Sequence, residues 1–252
     1  MFSFCKPSKT KILNCYTHYT NGIHNLFPPA RPKNPEWFKK LQVYSDLEIA
    51  RQMLESQPEI STNLRYCPGR NSLYEKGFMI VMWSDLYLKI GPKGTNTYAY
   101  QFADRRSIIA VHGEDQYRGL VKEDSYCHLK IVSPWHIHSE KKLEVLAIKP
   151  AWEVESLHGI EILPGVMDFS LVHQTNINMF IKREKEEKEI LIKAGTPIYH
   201  FVPLGGVNIK LNVQYSPSDS IERLKTTRGP RVNFVSSYNK VKRRISDNIS
   251  KK

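Results

Sequence analysis

Two imidazoles stand two residues apart in Trp135-His136-Ile137-His138. Side chains of a strand alternate between its faces, so His136 and His138 would share one side, the arrangement from which a β-barrel presents two metal-binding nitrogens. Glu140 or Glu144 could add a carboxylate and His173 a third nitrogen from a later strand. A second run, His112-Gly113-Glu114, could open a two-histidine, one-carboxylate triad for non-haem iron, closed by His173 or His200. Against both stands their context, because Ser139-Glu140-Lys141-Lys142 and the residues around Gly113 read as ordinary polar turns. The balance favours histidines at a surface or a partner contact, with no metal and no cofactor. A third pattern is stronger: Leu163-Pro164-Gly165-Val166-Met167-Asp168-Phe169. An aspartate just after a Pro-Gly turn either caps that turn through its side-chain oxygen or, in a cleft, serves as a base. Gly-rich phosphate loops, G-x-S-x-G elbows and H-E-x-x-H helices are missing from the sequence.

These residues must be held by something, and the elements are readable. Apolar residues make up 40% of the 252 and charged residues only 25%, which excludes disorder along the whole chain. From residue 77 onward, short β runs cover 77–83, 85–90, 97–102, 107–112, 126–132, 143–149, 177–181, 190–192, 198–204 and 207–213. Turn or charged residues separate them, the spacing of a sandwich or barrel. Residues 77–214 are therefore expected to form one antiparallel β domain. The charge run Lys182-Arg183-Glu184-Lys185-Glu186-Glu187-Lys188-Glu189 reads as a solvated hairpin tip, since unpaired charges do not enter a core.

The first sixty residues differ. Residues 9–16 alternate enough for a strand, and a Pro-rich connector follows through Pro28, Pro29, Pro32 and Pro35. Asn34 as N-cap and Pro35 in the first turn predict a short helix over 35–41, a clip-on anchor made of Trp37, Phe38 and Leu41 with Trp37 and Leu41 on one face. Ser45-Asp46-Leu47-Glu48 fits a capping box, and helical spacing of apolar residues continues until Pro58. The expected division is 1–60 for strand, connector and helices, 61–216 for the β-rich body, and 217–252 for a basic tail.

Charge is concentrated in that tail. Of the net +12, residues 221–252 carry +8, from ten Lys/Arg against Glu222 and Asp247. Arg228, Arg231, Lys240, Lys242, Arg243 and Arg244 are the residues placed to meet an acidic protein neighbour or the phosphates of nucleic acid. Cys5, Cys15, Cys67 and Cys127 form no C-x-x-C pair and read as reduced thiols. Lysines interrupt the N-terminus where an export signal needs an apolar core, and no apolar run approaches the roughly 20 residues of a membrane span.

The Pro-Gly-Val-Met-Asp turn, the strand 177–181 and the glycine-led Ala194-Gly195-Thr196-Pro197 strand resemble the β-clip core of the trimeric dUTPase and dCTP deaminase superfamily. That resemblance implies an aspartate orienting the attacking water, here Asp168. The sequence departs from the pattern at Leu171, where a tyrosine is expected, at His200, in place of a glutamine, and in the missing phosphate motif and glycine-rich arm. The His136, His138, Glu and His173 order is similar to that of cupins, without the glycines and prolines that bracket their first motif. Across nearly the whole chain, the Pro-rich connector with Pro35-Glu36-Trp37, the Arg65-Tyr66-Cys67-Pro68-Gly69 run, Ser133-Pro134-Trp135, the Pro164-Gly165 turn and Gly195-Thr196-Pro197 resemble an uncharacterised family encoded mainly by tailed bacteriophages.

Taken together, the fold expected is mainly β: an antiparallel sandwich or β-clip/barrel-like body with a short N-terminal helical anchor and a basic C-terminal tail. The function expected is a non-enzymatic phage structural or interaction protein, in the virion or host cytoplasm, contacting other phage proteins, its own copies or, through the tail, nucleic acid, but not membrane. A dUTPase-like enzyme using Asp168 is the rival, and a cupin-like or iron-dependent enzyme the third reading.

Overall fold

The computed structural model describes residues 10–17, 26–41, 65, 67–110, 125–151, 157–171 and 174–215. The helix expected before Pro58, the His112 turn, His173 and the basic tail lie outside the described residues. The strands are β1 (Thr10–Thr17), β2 (Phe78–Val81), β3 (Leu86–Ile90), β4 (Tyr98–Phe102), β5 (Ile109–Ala110), β6 (Tyr126–His138), β7 (Glu144–Ile148), β8 (Ile160–Ile162), β9 (Gly165–Asp168), β10 (Gln174–Lys182), β11 (Lys188–Ile192), β12 (Pro197–Pro203) and β13 (Asn208–Tyr215). Two short helices, α1 (Glu36–Lys39) and α2 (Pro68–Tyr74), precede β2. The chain is mainly β, as the alternating runs predict. No described helix is long and apolar enough to cross a membrane.

Three sheets enclose one core. The largest runs β13-β1-β6-β10-β8, with β5 also paired to β6; a second runs β2-β12-β7-β9, and a third β11-β3-β4. Among the described strands all pairings are antiparallel except β1 with β13, so the first described strand lies inside the large sheet beside the last described one. Residues from every sheet meet in the interior, among them Leu13, Trp83, Leu88, Ile131, Trp135, Phe169, Ile177 and Phe201. Phe78 stacks on Phe201 at 5.0 Å between centroids, and Phe169 meets Phe201 edge-on at 5.4 Å, joining strand ends that are distant in sequence.

β6 continues past the predicted 126–132 through Pro134. Because proline has no N–H to give the ladder, the register with β10 breaks there: Val132 pairs with Asn176, and His136 with Gln174. Side chains take over, Thr175 Oγ1 donating to the Trp135 carbonyl at 3.1 Å and the Trp135 N–H to Ser133 Oγ at 3.1 Å. Two extra residues on β6 preserve the alternation, so Leu129, Ile131, Trp135 and Ile137 all reach the core.

β2 is buried on both faces. Phe78 and Ile80 enter the main core, while Met79 and Val81 form a second cluster with Tyr74 of α2. The Pro-rich connector covers its edge: the Ala30 N–H donates to the Met79 carbonyl (3.0 Å) and the Met79 N–H to that of Ala30 (2.7 Å). Gly77 makes the turn from α2 into β2 with φ +74°, and a Cβ there would sit 1.8 Å from the Phe201 carbonyl oxygen.

Three local expectations are corrected. The charge run is not a hairpin tip, because β10 belongs to the large sheet and β11 to the small one; residues 183–187 cross between sheets. Within it Arg183 is buried, 5% exposed: its Nη1 donates to the carbonyls of Gly91 (2.9 Å) and Thr97 (3.0 Å), while its Nε has no acceptor. Gly165–Asp168 is not only a turn but an edge strand paired with β7.

Candidate functional site

Asp168 ends β9 opposite Glu144 of β7 and is 7% exposed. Its Oδ1 accepts the Ser170 N–H at 2.9 Å, the Ser170 hydroxyl at 2.8 Å and the Leu143 N–H at 3.2 Å. The Leu171 N–H returns to the Asp168 carbonyl at 3.0 Å. This is an aspartate turn whose carboxylate also pins the approach to β7.

His136 and His138 do point to one side of the large sheet, opposite to Trp135 and Ile137, as their spacing requires, but His136 is buried rather than a surface side chain and His138 is half-buried. Tyr16 and Gln174 flank His136 across the sheet, and Asn14 lies opposite His138. Burial holds the His138 imidazole below its ordinary value, against opposing contributions from Glu140 and the Phe169 backbone. Glu144 stands in a different sheet, ion-paired to Lys142 at 3.0 Å. His200, fully buried in β12, has Nε2 2.9 Å from the Lys76 carbonyl, and burial lowers its pKa. Among the described residues no three His, Cys, Asp or Glu side chains gather as a metal would need. His112, Glu114, His173, Arg228, Arg231, Lys240, Lys242, Arg243 and Arg244 lie outside the described residues. Cys15, Cys67 and Cys127 are free thiols, and burial pushes the first and last upward.

The anchor residues lead to the most distinctive arrangement. Phe38 of α1 is buried, whereas Trp37 beside it and Leu41, past the end of the helix, are half-buried, so Phe38 is the docking side chain. The N-cap position is Pro35 rather than Asn34, and no side chain caps the helix. Asn34 is engaged elsewhere, its Oδ1 accepting from Arg70 Nη1 at 2.5 Å. Arg70 lies on α2, and its guanidinium carbon sits 3.3 Å from the Phe38 ring centroid and 4.0 Å from that of Tyr74, four residues along the same helix. Nη1 is also 3.3 Å from Asn71 Oδ1. Although Arg70 is 8% exposed, its Nε and Nη2 make no hydrogen bond. Desolvation depresses the guanidinium pKa, partly offset by Tyr74.

A cavity of about 440 Å³ adjoins this cluster, lined among the described residues by Pro32, Asn34, Phe38, Arg65, Asn71, Tyr74 and Glu75. Asn34, Phe38, Asn71 and Tyr74 are also the residues that contact Arg70. The Asn71 amide donates to the Arg65 carbonyl at 2.9 Å, and the Arg65 side chain to that of Leu41 at 3.3 Å, tying wall to anchor. Sequence reasoning singled out Phe38 but missed Arg70; its signal was the Arg70/Tyr74 pair at helical spacing after Pro68.

Compared with known proteins, the chain matches no family model and no curated sequence.

Proposed function

We propose that the chain is a non-enzymatic, β-rich structural or interaction protein of a tailed-bacteriophage assembly, working in the virion or in a host-cell complex with other phage proteins or its own copies. The employment of Asp168 carries this reading. Three donors from its own turn and from the start of β7 converge on Oδ1 of this carboxylate, the bonding of an aspartate that caps a turn and ties it to the next strand. Gly165 and Asp168 thus act as joinery between β7 and β9. The phage setting rests on the resemblance of the Pro-Trp, Pro-Gly and Gly-Thr-Pro punctuation, and the basic tail supplies charge for a protein or nucleic-acid neighbour.

The test is turnover and location together. Purified protein incubated with each deoxynucleoside triphosphate is expected to release no pyrophosphate. Release that disappears in Asp168→Asn would sink the structural reading in favour of a nucleotide-processing enzyme. Mass spectrometry of purified phage particles then separates virion from host complex. Deleting residues 221–252 is expected to weaken assembly or DNA association, most clearly at low salt.

A further inference from the structure

We propose that β4 is the surface through which the chain pairs with a second copy of itself, edge to edge and antiparallel, so that the small sheets of two molecules become one. The Gly91 N–H donates to the Thr97 carbonyl at 3.0 Å and the Ala103 N–H to that of Asp85 at 2.9 Å, which makes 91/97 and 85/103 hydrogen-bonded pairs flanking the β3–β4 ladder. Such pairs alternate along an antiparallel ladder, so Ala99 and Gln101 also turn their N–H and C=O toward β3, while Tyr98 and Tyr100 turn theirs away. Among the described residues nothing bonds those four outward groups.

An open edge invites another strand, and proteins blunt their edges with charge, proline, shortness or a cover. Every other sheet edge among the described strands is blunted in one of these ways: β13 carries Lys210, β11 carries Lys188 and Glu189, β8 has three residues with Glu161 among them, β5 has two residues, β9 follows Pro164 and ends in Asp168, and β2 meets Ala30. β4 has none of these devices, since residues 94–103 contain no charged residue and no proline. A chain of net charge +12 resists its own copies wherever basic surfaces meet, so an uncharged edge is where two molecules approach without that cost. The strand is also self-complementary. A two-fold axis at Ala99 sets Tyr98 opposite Tyr100 of the second copy, giving each outward N–H a carbonyl and placing tyrosine rings side by side across the seam. β4 is held ready for this: Arg183 Nη1 fixes the Thr97 carbonyl at 3.0 Å, and the buried Phe102 ring stacks on Trp83. Such pairing goes beyond the proposed structural role, which assigns no surface.

Sedimentation velocity of the full chain over a range of concentrations tests it. A monomer–dimer equilibrium is expected. Ala99→Lys, which sets two like charges face to face at the axis from an exposed position, is expected to weaken it by about tenfold or more, and so is Ala99→Glu. An equimolar mixture of the two variants should dimerise again, because each lysine then meets a glutamate. Should the variants not fold, hydrogen exchange in the native chain decides: raising the concentration should slow the Tyr98 and Tyr100 amides and leave those of Ala99 and Gln101, already bonded to β3, nearly unchanged. A chain that is monomeric at every concentration overturns the proposal and leaves the edge to a strand of another protein. A dimer indifferent to both substitutions, or a mixture that stays monomeric, overturns it too. Each of these failures leaves the reading of Asp168 to be judged by pyrophosphate release.

Discussion

Asp168 and Arg70 are both ionisable and both nearly inaccessible, yet they are treated in opposite ways. Asp168 has three donors on one oxygen, all from backbone or side chain within its own turn and the neighbouring strand approach. Arg70 has acceptors on one nitrogen and none on the other two. An oxygen bonded as in Asp168 is a structural tie, because a ligand there would have to displace bonds already made. Buried donors left without acceptors instead cost stability. The motif that looked chemical in the sequence ties a turn through Oδ1; Arg70, which the sequence did not single out, keeps two donors without acceptors.

The contrast predicts unequal responses to mutation. The largest effect is expected for Asp168→Ala, which leaves the buried Leu143 N–H and the Ser170 N–H without their acceptor; urea unfolding should show a loss of about 2–4 kcal/mol. Asp168→Asn retains an acceptor oxygen and should lose less. Next comes Arg183→Met, which strips the Gly91 carbonyl of its donor and is expected to cost about 1–3 kcal/mol in the same measurement. Arg70→Met should change stability by only about 1 kcal/mol in either direction, because the lost stacking on Phe38 and Tyr74 is offset by removing two unsatisfied donors. If Arg70→Met cost as much as Asp168→Ala, the distinction between the two buried charges would collapse.

The smallest effect is a pH dependence. Burial lowers the pKa values of His200 and His138 from the ordinary 6.5, so each takes up a proton more readily unfolded than folded. Their contribution to stability is therefore present above about pH 6.5 and is lost as the pH falls through the folded-state values. Unfolding free energy should decline between about pH 7 and pH 5, and His200→Gln should flatten that slope while leaving the part due to His138. A slope unchanged in His200→Gln would remove that imidazole from the account.

Much of the body was legible because alternation is a local property. Each predicted β run from 77–83 to 207–213 contains or overlaps a strand, and 9–16 overlaps β1, since apolar residues at every second position need only a sheet with one face buried. β8, with three residues, and β9, behind Pro164, were too short to announce themselves. Phe38 was legible as part of an anchor; that it, rather than Trp37, is buried depended on where α1 meets α2.

What the residues determined by themselves was the mainly β class, the proline-directed connector, the same-side placement of His136 and His138, and the crowding of positive charge into the last residues. Only the tertiary structure decided that β1 joins β13 in parallel, that the charge run bridges two sheets with Arg183 inside, that Asp168 ties one turn, and that Arg70 lies against two rings. The division has one cause. Periodicity and turn chemistry act between near neighbours, whereas partners for a buried charge are supplied by segments far apart in the chain, and no local pattern records which segments will meet.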